Sequence, residues 1–458
     1  CALFEAFFDD REKTYSQGRT DIRGGRSAVK KYQTRIIALS AAFLLLLQLI
    51  PISRADVSYT DADIKKAVEE TLAWRRAASG ESENGNLFSG DFLSAAGTSG
   101  ADWYAVAVGR FGLADDYTAY LSALRSNVEA RYSTPGKLNA QKATEWHRIS
   151  LAVASLGSDP TSFGTDADGN AINLIADGTY FRSRTADLGV QGINAYIWAL
   201  IALDSVSGVV PDDADDTRED MINAVLEGQL ENGGFRLIGE TPDVDITAMA
   251  ITALSPYTDR EDVLRALDSA VEFLSGVQKD GGDFASWGQE NLESTAQVAI
   301  ALCTLGINPE NDARFVKNGN SVLDGIMKYR TADGAFAHIS GENGNESDSV
   351  ASAQALCALC SIVRFRRGLS PIYSISANAG ETSPIIPVFG SEVNDEGTLS
   401  AADDTEAEEY ESGTENPTAE NHSPTQSLFA CAAVAVFCLI ALTAAFLIRK
   451  KRDDRCRG

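Results

Sequence analysis

A chain of 458 residues with 44% hydrophobic composition carries enough apolar material for a sizeable core. Its 65 acidic and 39 basic residues leave a net charge of −26, which excludes nucleic-acid binding, since that needs clustered Lys and Arg to neutralise phosphate. Of its 7 cysteines only Cys303, Cys357 and Cys360 lie between the two long apolar runs of the chain. An odd number in apolar helical surroundings argues against a disulfide framework and predicts buried free thiols, with a bridge from Cys303 to one of the others as the alternative.

The first element in chain order is an apolar run at 36–50, preceded by Lys30, Lys31 and Arg35 and followed by the small residues Ser53 and Ala55. A basic flank, a short apolar stretch and an A-x-A-like exit predict a secretory signal peptide closing an N-terminal extension over 1–55. A retained signal-anchor is the competing reading; the run is shorter than the roughly 20 residues that span a bilayer. Residues 1–29 point to no function.

Residues 56–370 are dominated by self-similarity. Apolar, small-residue helices are expected at 102–111, 145–156, 194–203, 245–254, 293–302 and 351–359, recurring about 45–57 residues apart. Helices apolar on almost every side are buried all round. Between them lie charged amphipathic segments at 61–79, 116–131, 171–177, 217–230, 261–278 and 319–329. In 261–278, Val263, Leu264, Leu267, Ala270, Val271 and Leu274 fall at helical spacing. Alternating buried and amphipathic helices predict an all-α fold of two concentric rings, an (α/α)6 toroid of six helical hairpins. An open solenoid is the competitor; no polar capping repeat is evident, which favours closure.

From 371 to 426 the chain holds twelve Asp/Glu and no Lys or Arg, among Ser, Thr, Pro and Gly. Such a segment buries too little to offset chain entropy, so a disordered acidic stalk is expected, extended by its own repulsion. Residues 427–448 follow, with 428–448 free of charge, long enough for a transmembrane helix. Arg449, Lys450, Lys451 and Arg452 open a basic tail over 449–458 and place that end in the cytoplasm. The expected localisation is the cell membrane, single-pass, with the N-terminus extracellular.

Three turns carry a family resemblance. Gln229–Phe235 reads QLENGGF, Gln278–Phe284 reads QKDGGDF, and a shorter relative runs from Asp333 to Phe336. With Asp243-Val-Asp-Ile-Thr-Ala248 they resemble prenyltransferase/squalene-oxidase repeats of the terpenoid cyclase and protein prenyltransferase α/α-toroid superfamily. Glu293-Ser-Thr-Ala-Gln-Val298, Leu305-Gly-Ile-Asn-Pro309 and the stretch from Phe315 to Ser321 are similar to its transcobalamin-like branch, which includes bacterial surface proteins. The resemblance covers roughly 60–370.

That resemblance implies activities that can be checked residue by residue. Squalene-hopene-type cyclases protonate an alkene with a DxDDTA motif. Here Asp243, Asp245, Thr247 and Ala248 match it, but Ile246 stands where the last aspartate should be, so the carboxylate cluster that tunes the acid is incomplete. If the protein is an enzyme, Asp243 and Asp245 are its catalytic candidates; the plain alternative is that Asp245 caps its helix with Asp243 in the preceding loop. The zinc of protein prenyltransferases needs an Asp, Cys and His set, and no Asp-x-Cys pair lies near the turns, so no metal site is expected. Nor is there a Cys-Gly-Glu-Gln thioester run. Resemblance to cobalamin carriers raises cobalamin as a ligand, yet those carriers close a β-rich domain over the corrin, whereas here the toroid runs into the stalk. No cofactor is expected beyond that.

Inner helices of a toroid begin at one end, and polar residues gather there: Asp102, Glu145, His147, Asn194, Asp243, Asp245, Glu290, Glu293 and Asp348. Helix N-termini facing that end partly offset the acidic ring. Capping and solvation account for most of these positions, and a satisfied helix histidine accounts for His147. The sharper reading is a ligand mouth over an apolar bore, joined by Trp146, Trp198 and Trp287. The sequence is thus read as a membrane-anchored, non-catalytic surface toroid that binds an extracellular ligand or protein partner. An isoprenoid-acting enzyme or a corrinoid binder is the alternative.

Overall fold

The structure, a computed structural model, describes residues 59–82, 85–341, 346–375 and 387–389, all within the unit Cys1–Glu392. The expected signal segment, the anchor, the basic tail and the stalk apart from 371–375 and 387–389 lie outside the described residues. Among the described residues no helix is long and apolar enough to cross a membrane.

In chain order the α-helices are α1 (Asp61–Ala78), α2 (Gly90–Leu93), α3 (Ser99–Phe111), α4 (Tyr117–Tyr132), α5 (Thr144–Ser155), α6 (Leu174–Gly178), α7 (Ile193–Ser205), α8 (Arg218–Leu226), α9 (Val244–Leu254), α10 (Glu261–Val277), α11 (Leu292–Thr304), α12 (Val322–Met327) and α13 (Ser349–Arg366). Strands β1 (Phe284–Ser286) and β2 (Gln289–Asn291) form an antiparallel hairpin just before α11.

The odd-numbered helices from α3 to α13 are the apolar ones. In α13 every residue from Ala351 to Arg364 is buried, and in α11 every residue from Ser294 to Cys303. Each packs on the next of the series, and α13 packs back on α3, so they form a closed inner ring rather than an open solenoid. Alanine and glycine make the close approach workable: a Cβ on Gly109 of α3 would sit 2.2 Å from the Ser155 carbonyl oxygen of α5. The three cysteines are buried and free within this ring.

The outer layer is amphipathic, as in α10, where Val263, Ala266, Leu267, Ala270, Val271 and Leu274 turn inward. Leu264, which the spacing assigns to that face, is 45% exposed; Ala266 takes the inward position instead. Helix α1 belongs to the last repeat as much as to the first. Thr71 Oγ1 donates to the Gly334 carbonyl (2.9 Å), Arg330 pairs with Glu70, and Arg366 pairs with Asp61 (2.7 Å).

The glycine turns are the joints between repeats. Gln229 Nε2 donates to the carbonyls of Gly233 (2.9 Å) and Ala266 (2.7 Å), and Gln278 Nε2 does the same to Gly282 (2.9 Å) and Phe315 (2.9 Å). Each turn then donates an N–H to a hydroxyl in the next inner helix: Phe235 to Thr247 (2.8 Å), Phe284 to Thr295 (3.1 Å) and Phe336 to Ser352 (3.0 Å). Gly282 has φ +87°, and a Cβ there would lie 2.0 Å from the Ser321 carbonyl, so only glycine fits.

Packing continues past residue 370, where the composition change sets the edge of the folded region. After α13 the chain turns back under the ring, and Tyr373 is 6% exposed. Two buried arginines clamp this return: Arg110 donates to the carbonyls of Pro371 (3.0 Å) and Ser374 (2.9 Å), and Arg364 donates to that of Ser370 (2.8 Å). Phe389 stacks on Phe111 with ring centroids 5.3 Å apart, and the Val388 N–H donates to the Phe111 carbonyl (2.8 Å).

Candidate binding mouth

A ring of parallel helices offers two places for a ligand, the bore and the mouth where the helices begin. The bore is filled by the protein's own aromatic side chains. Trp103 of α3 and Trp198 of α7 stand on helices that are not neighbours in the ring, yet their ring centroids are 5.4 Å apart, so they meet across the middle. Tyr373, arriving from the opposite end, lies 5.7 Å from Trp198 and 6.4 Å from Trp103. Gln297 Nε2 donates to Gln354 Oε1 (2.8 Å), closing the polar part of the wall. A cavity of about 40 Å³ beside Tyr373, Ile201 and Thr252 accommodates little more than a water molecule. The expected apolar bore is packed at this level, with Trp198 as part of the packing.

The residues expected at the mouth separate into three groups. Asp102, Trp146 and His147 do not open onto it. Asp102 is fully buried and accepts from Tyr120 Oη (2.7 Å), the Gly97 N–H (2.9 Å) and Arg148 Nε (2.8 Å). Burial alone would lower the Arg148 pKa, but its hydrogen bonds to Glu145 and the charge of Asp102 more than reverse this and hold it charged. Asp102, Arg148, Glu145 and Arg131 thus form a structural network. Trp146 faces outward, its Nε1 donating to Tyr132 Oη (2.7 Å) under the Arg182 guanidinium. His147 is 1% exposed, with Nε2 at 2.6 Å from the Gly178 carbonyl oxygen and Nδ1 unpaired, and burial lowers its pKa to about 4. His147 is thus a buried neutral histidine inside its helix, with one ring nitrogen bonded and the other unpaired.

Two further residues are helix caps. Asp243 caps α9, with Oδ1 accepting from the Ile246 N–H (3.0 Å) and Oδ2 from Ser286 Oγ (3.0 Å). This corrects the assignment of the cap to Asp245. Asp348 caps α13 by accepting from the N–H groups of Val350 (2.8 Å) and Ala351 (2.8 Å). The match to an acid motif is thereby explained locally: Asp243 and Thr247 do for α9 what Asn291 and Thr295 do for α11, and Asp348 caps α13 likewise.

Asn194, Asp245, Glu293 and Trp287 remain. Asn194 Oδ1 and Asp245 Oδ1 are buried without a hydrogen-bond partner. Burial pushes the Asp245 carboxyl up to about 6; the charges of Asp243 and Glu293 act in the same direction, against the nearby Ser294 hydroxyl. Glu293 is raised too, by burial and Asp348, although His338 Nδ1 lies 2.8 Å from its Oε2 and opposes the shift. Leu237, Ile238, Gly239, Thr241, Pro242, Asp243 and Trp287 line a groove of about 330 Å³. Ile238 is 70% and Trp287 78% exposed. The sequence singled out Trp287 but missed Leu237 and Ile238. Two adjacent apolar residues in a loop between a turn and a helix, Leu237-Ile238-Gly239, were the available signal. Among the described residues no group of three or more His, Cys, Asp or Glu is placed to hold a metal ion.

Fold and site together define an α/α toroid with a packed bore and an acidic, partly apolar mouth. Residues 180–376 match the family model of the prenyltransferase alpha-alpha toroid domain. The match covers inner-ring helices α7, α9, α11 and α13 and all three glycine turns. No curated protein matches the chain. Among solved structures, the unsaturated glucuronyl hydrolase of Bacillus sp. GL1 is similar, at 13% identity and a TM-score of 0.42, over 69% of this chain and 99% of that one. At that level the likeness says nothing about activity.

Proposed function

We propose that the protein is a surface-held toroid that binds an extracellular ligand or partner on its mouth face, without using the bore. Export by the 36–50 segment and anchoring by the 428–448 segment are part of this reading and rest on composition alone. The observation that carries it is the contrast between the two ends of the site. Trp103, Trp198 and Tyr373 take the space a polyprenyl chain or a corrin would need, while Trp287 and Ile238 stand exposed around a groove that Asp243 also lines. Exposed apolar side chains gathered round a groove mark an interaction site.

Native mass spectrometry of the full chain in detergent, with farnesyl diphosphate, cobalamin and cell-wall muropeptides offered separately, tests the reading. No complex with the first two is expected, and any muropeptide complex should be lost in an Ile238→Ser/Trp287→Ala variant. A one-to-one complex of farnesyl diphosphate or cobalamin that survives this variant would place the site in the bore and overturn the proposal.

A second reading has one observation in its favour. A carboxyl raised to about 6 is suited to general-acid work, so Asp245 is where catalysis would reside if the mouth is a reaction site. Asp245→Asn would then abolish turnover of a ligand while leaving its binding intact.

A further inference from the structure

The return segment is held by a different class of contact from the helix that precedes it. At the end of α13, Arg366 pairs with Glu310 and with Asp61 (2.7 Å), and Arg367 pairs with Asp61 (3.1 Å). Ion pairs thus tie that end to α1 and to the connection between α11 and α12. Beyond it the segment is gripped by two guanidiniums, Arg110 at 8% and Arg364 at 4% exposure. Every acceptor it offers them is neutral: Ser370 Oγ and the carbonyls of Ser370, Pro371 and Ser374. Both arginines reach the same Ser370 Oγ, at 3.2 and 3.0 Å, so two like charges lie close together in the interior. Arg110 Nε has no partner there. Burial, and then the charge of Arg364, lower the Arg110 pKa to about 10. Buried cations that face only neutral acceptors regain water when those acceptors leave, which favours release.

Packing beneath the segment is incomplete. Pro371, Tyr373 and Ser374 form one side of the cavity of about 40 Å³, against Ile201, Thr252 and Thr304. Atoms facing a void lose their contacts on that side. Order along the chain matters as much. A pull from the C-terminal side meets first the Phe389–Phe111 stack and the Val388 N–H on the Phe111 carbonyl. It then meets the Ile375 N–H on the Ser205 carbonyl (3.0 Å), and last Tyr373 and the arginine clamps. Contacts loaded one after another yield at lower force than the same contacts loaded together, and the ion-paired end of α13 stops the peel.

We propose that the return segment is a load-released plug. Tension on the chain beyond residue 389 peels it from the base, withdraws Tyr373 from between Trp103 and Trp198, and opens the bore while the inner ring stays closed. The bore is then shut in the resting protein and accessible in the strained one. The trigger rests on the proposed anchoring through 428–448; the plug itself does not.

Optical tweezers on the full chain in detergent test it, with one handle in the exposed loop at 168–169 and the other after residue 392. A low-force step is expected before the ring unfolds, reversible on relaxation and releasing no more than 371–389, roughly 65 Å of contour. Tyr373→Ala and Phe389→Ala should each lower the force of this step and leave the later ring step unchanged, which also shows that the variants fold. Once the first step has occurred, an added Ser-Pro-Ile-Tyr-Ser-Ile peptide, the sequence of 370–375, should occupy the vacated base and slow re-docking several-fold. The same peptide carrying Tyr373→Ala should not. A single unfolding step, a first step longer than 371–389, a first step indifferent to both variants, or re-docking indifferent to the peptide overturns the proposal. The assay pulls on the protein directly, so these failures strike the plug alone. Release of the protein from cells despite an intact 428–448 segment would instead strike the anchoring reading and leave the steps as they are.

Discussion

Asp245 carries a cost that its neighbours avoid. Asp243 and Asp348 spend their oxygens on helix N–H groups, and Asp102 on an arginine, whereas one oxygen of Asp245 is buried and unpaired. A carboxyl whose pKa rises on folding is best tolerated below its unfolded value of 3.8, and its penalty grows as pH rises through about 6. Asp245→Asn should therefore stabilise the fold by about 1–3 kcal/mol at pH 7 and by almost nothing at pH 4, measured by urea denaturation at both pH values. His147 has the opposite sign. Its folded pKa of about 4 lies below the ordinary 6.5, so the unfolded chain binds the proton first and stability is lost as pH falls from 6.5 toward 4. His147→Gln, which keeps a donor for the Gly178 carbonyl, should remove up to about 3 kcal/mol of that pH dependence, visible as a flatter plot of Tm against pH. An unchanged slope would mean that the imidazole is not buried neutral. These placements were not legible beforehand. Trp146 and Trp198 both sit in apolar helices, but which faces the bore depends on the rotation of each helix. The Asp102–Arg148 pair joins two helices whose register no local pattern gives.

At the scale of elements, the glycine turns and the return segment hold the ring by different means. The turns were readable because they share a short, repeated chemistry: Gly for left-handed backbone, Phe to plug, a hydroxyl one turn into the next helix and, in two of the three, Gln to grip two carbonyls. Gly282→Ala should cost more than about 2 kcal/mol in chemical denaturation, since the new methyl meets a backbone carbonyl rather than a movable side chain. The return segment was not readable, because Pro371-Ile-Tyr373 opens a stretch whose composition is that of a solvated stalk. Its packing depends on Arg110 and Arg364, brought together only when α13 meets α3. Tyr373→Ala should open a cavity against Trp103 and Trp198 and lower stability by about 3–5 kcal/mol. Near-UV circular dichroism should change with it. A silent substitution would mean the bore is not packed around this tyrosine.

For the molecule as a whole, closure was foreseeable from six apolar helices of similar size, and the structure adds what closes it: α1, the α13–α3 contact and the clamped return. With the bore filled, the proposed binding function falls to the rim, where the chain places an exposed tryptophan at a turn position that disfavours it. The most direct test is hydroxyl-radical footprinting of the full chain, purified and displayed on intact cells. In the purified protein Trp287 should be heavily oxidised, with Trp103, Trp198 and Tyr373 nearly untouched, and on cells the labelling of Trp287 should fall several-fold. Strong oxidation of Trp198 and Tyr373 in the purified chain, or identical labelling of Trp287 in both settings, would contradict a packed bore with its partner at the mouth.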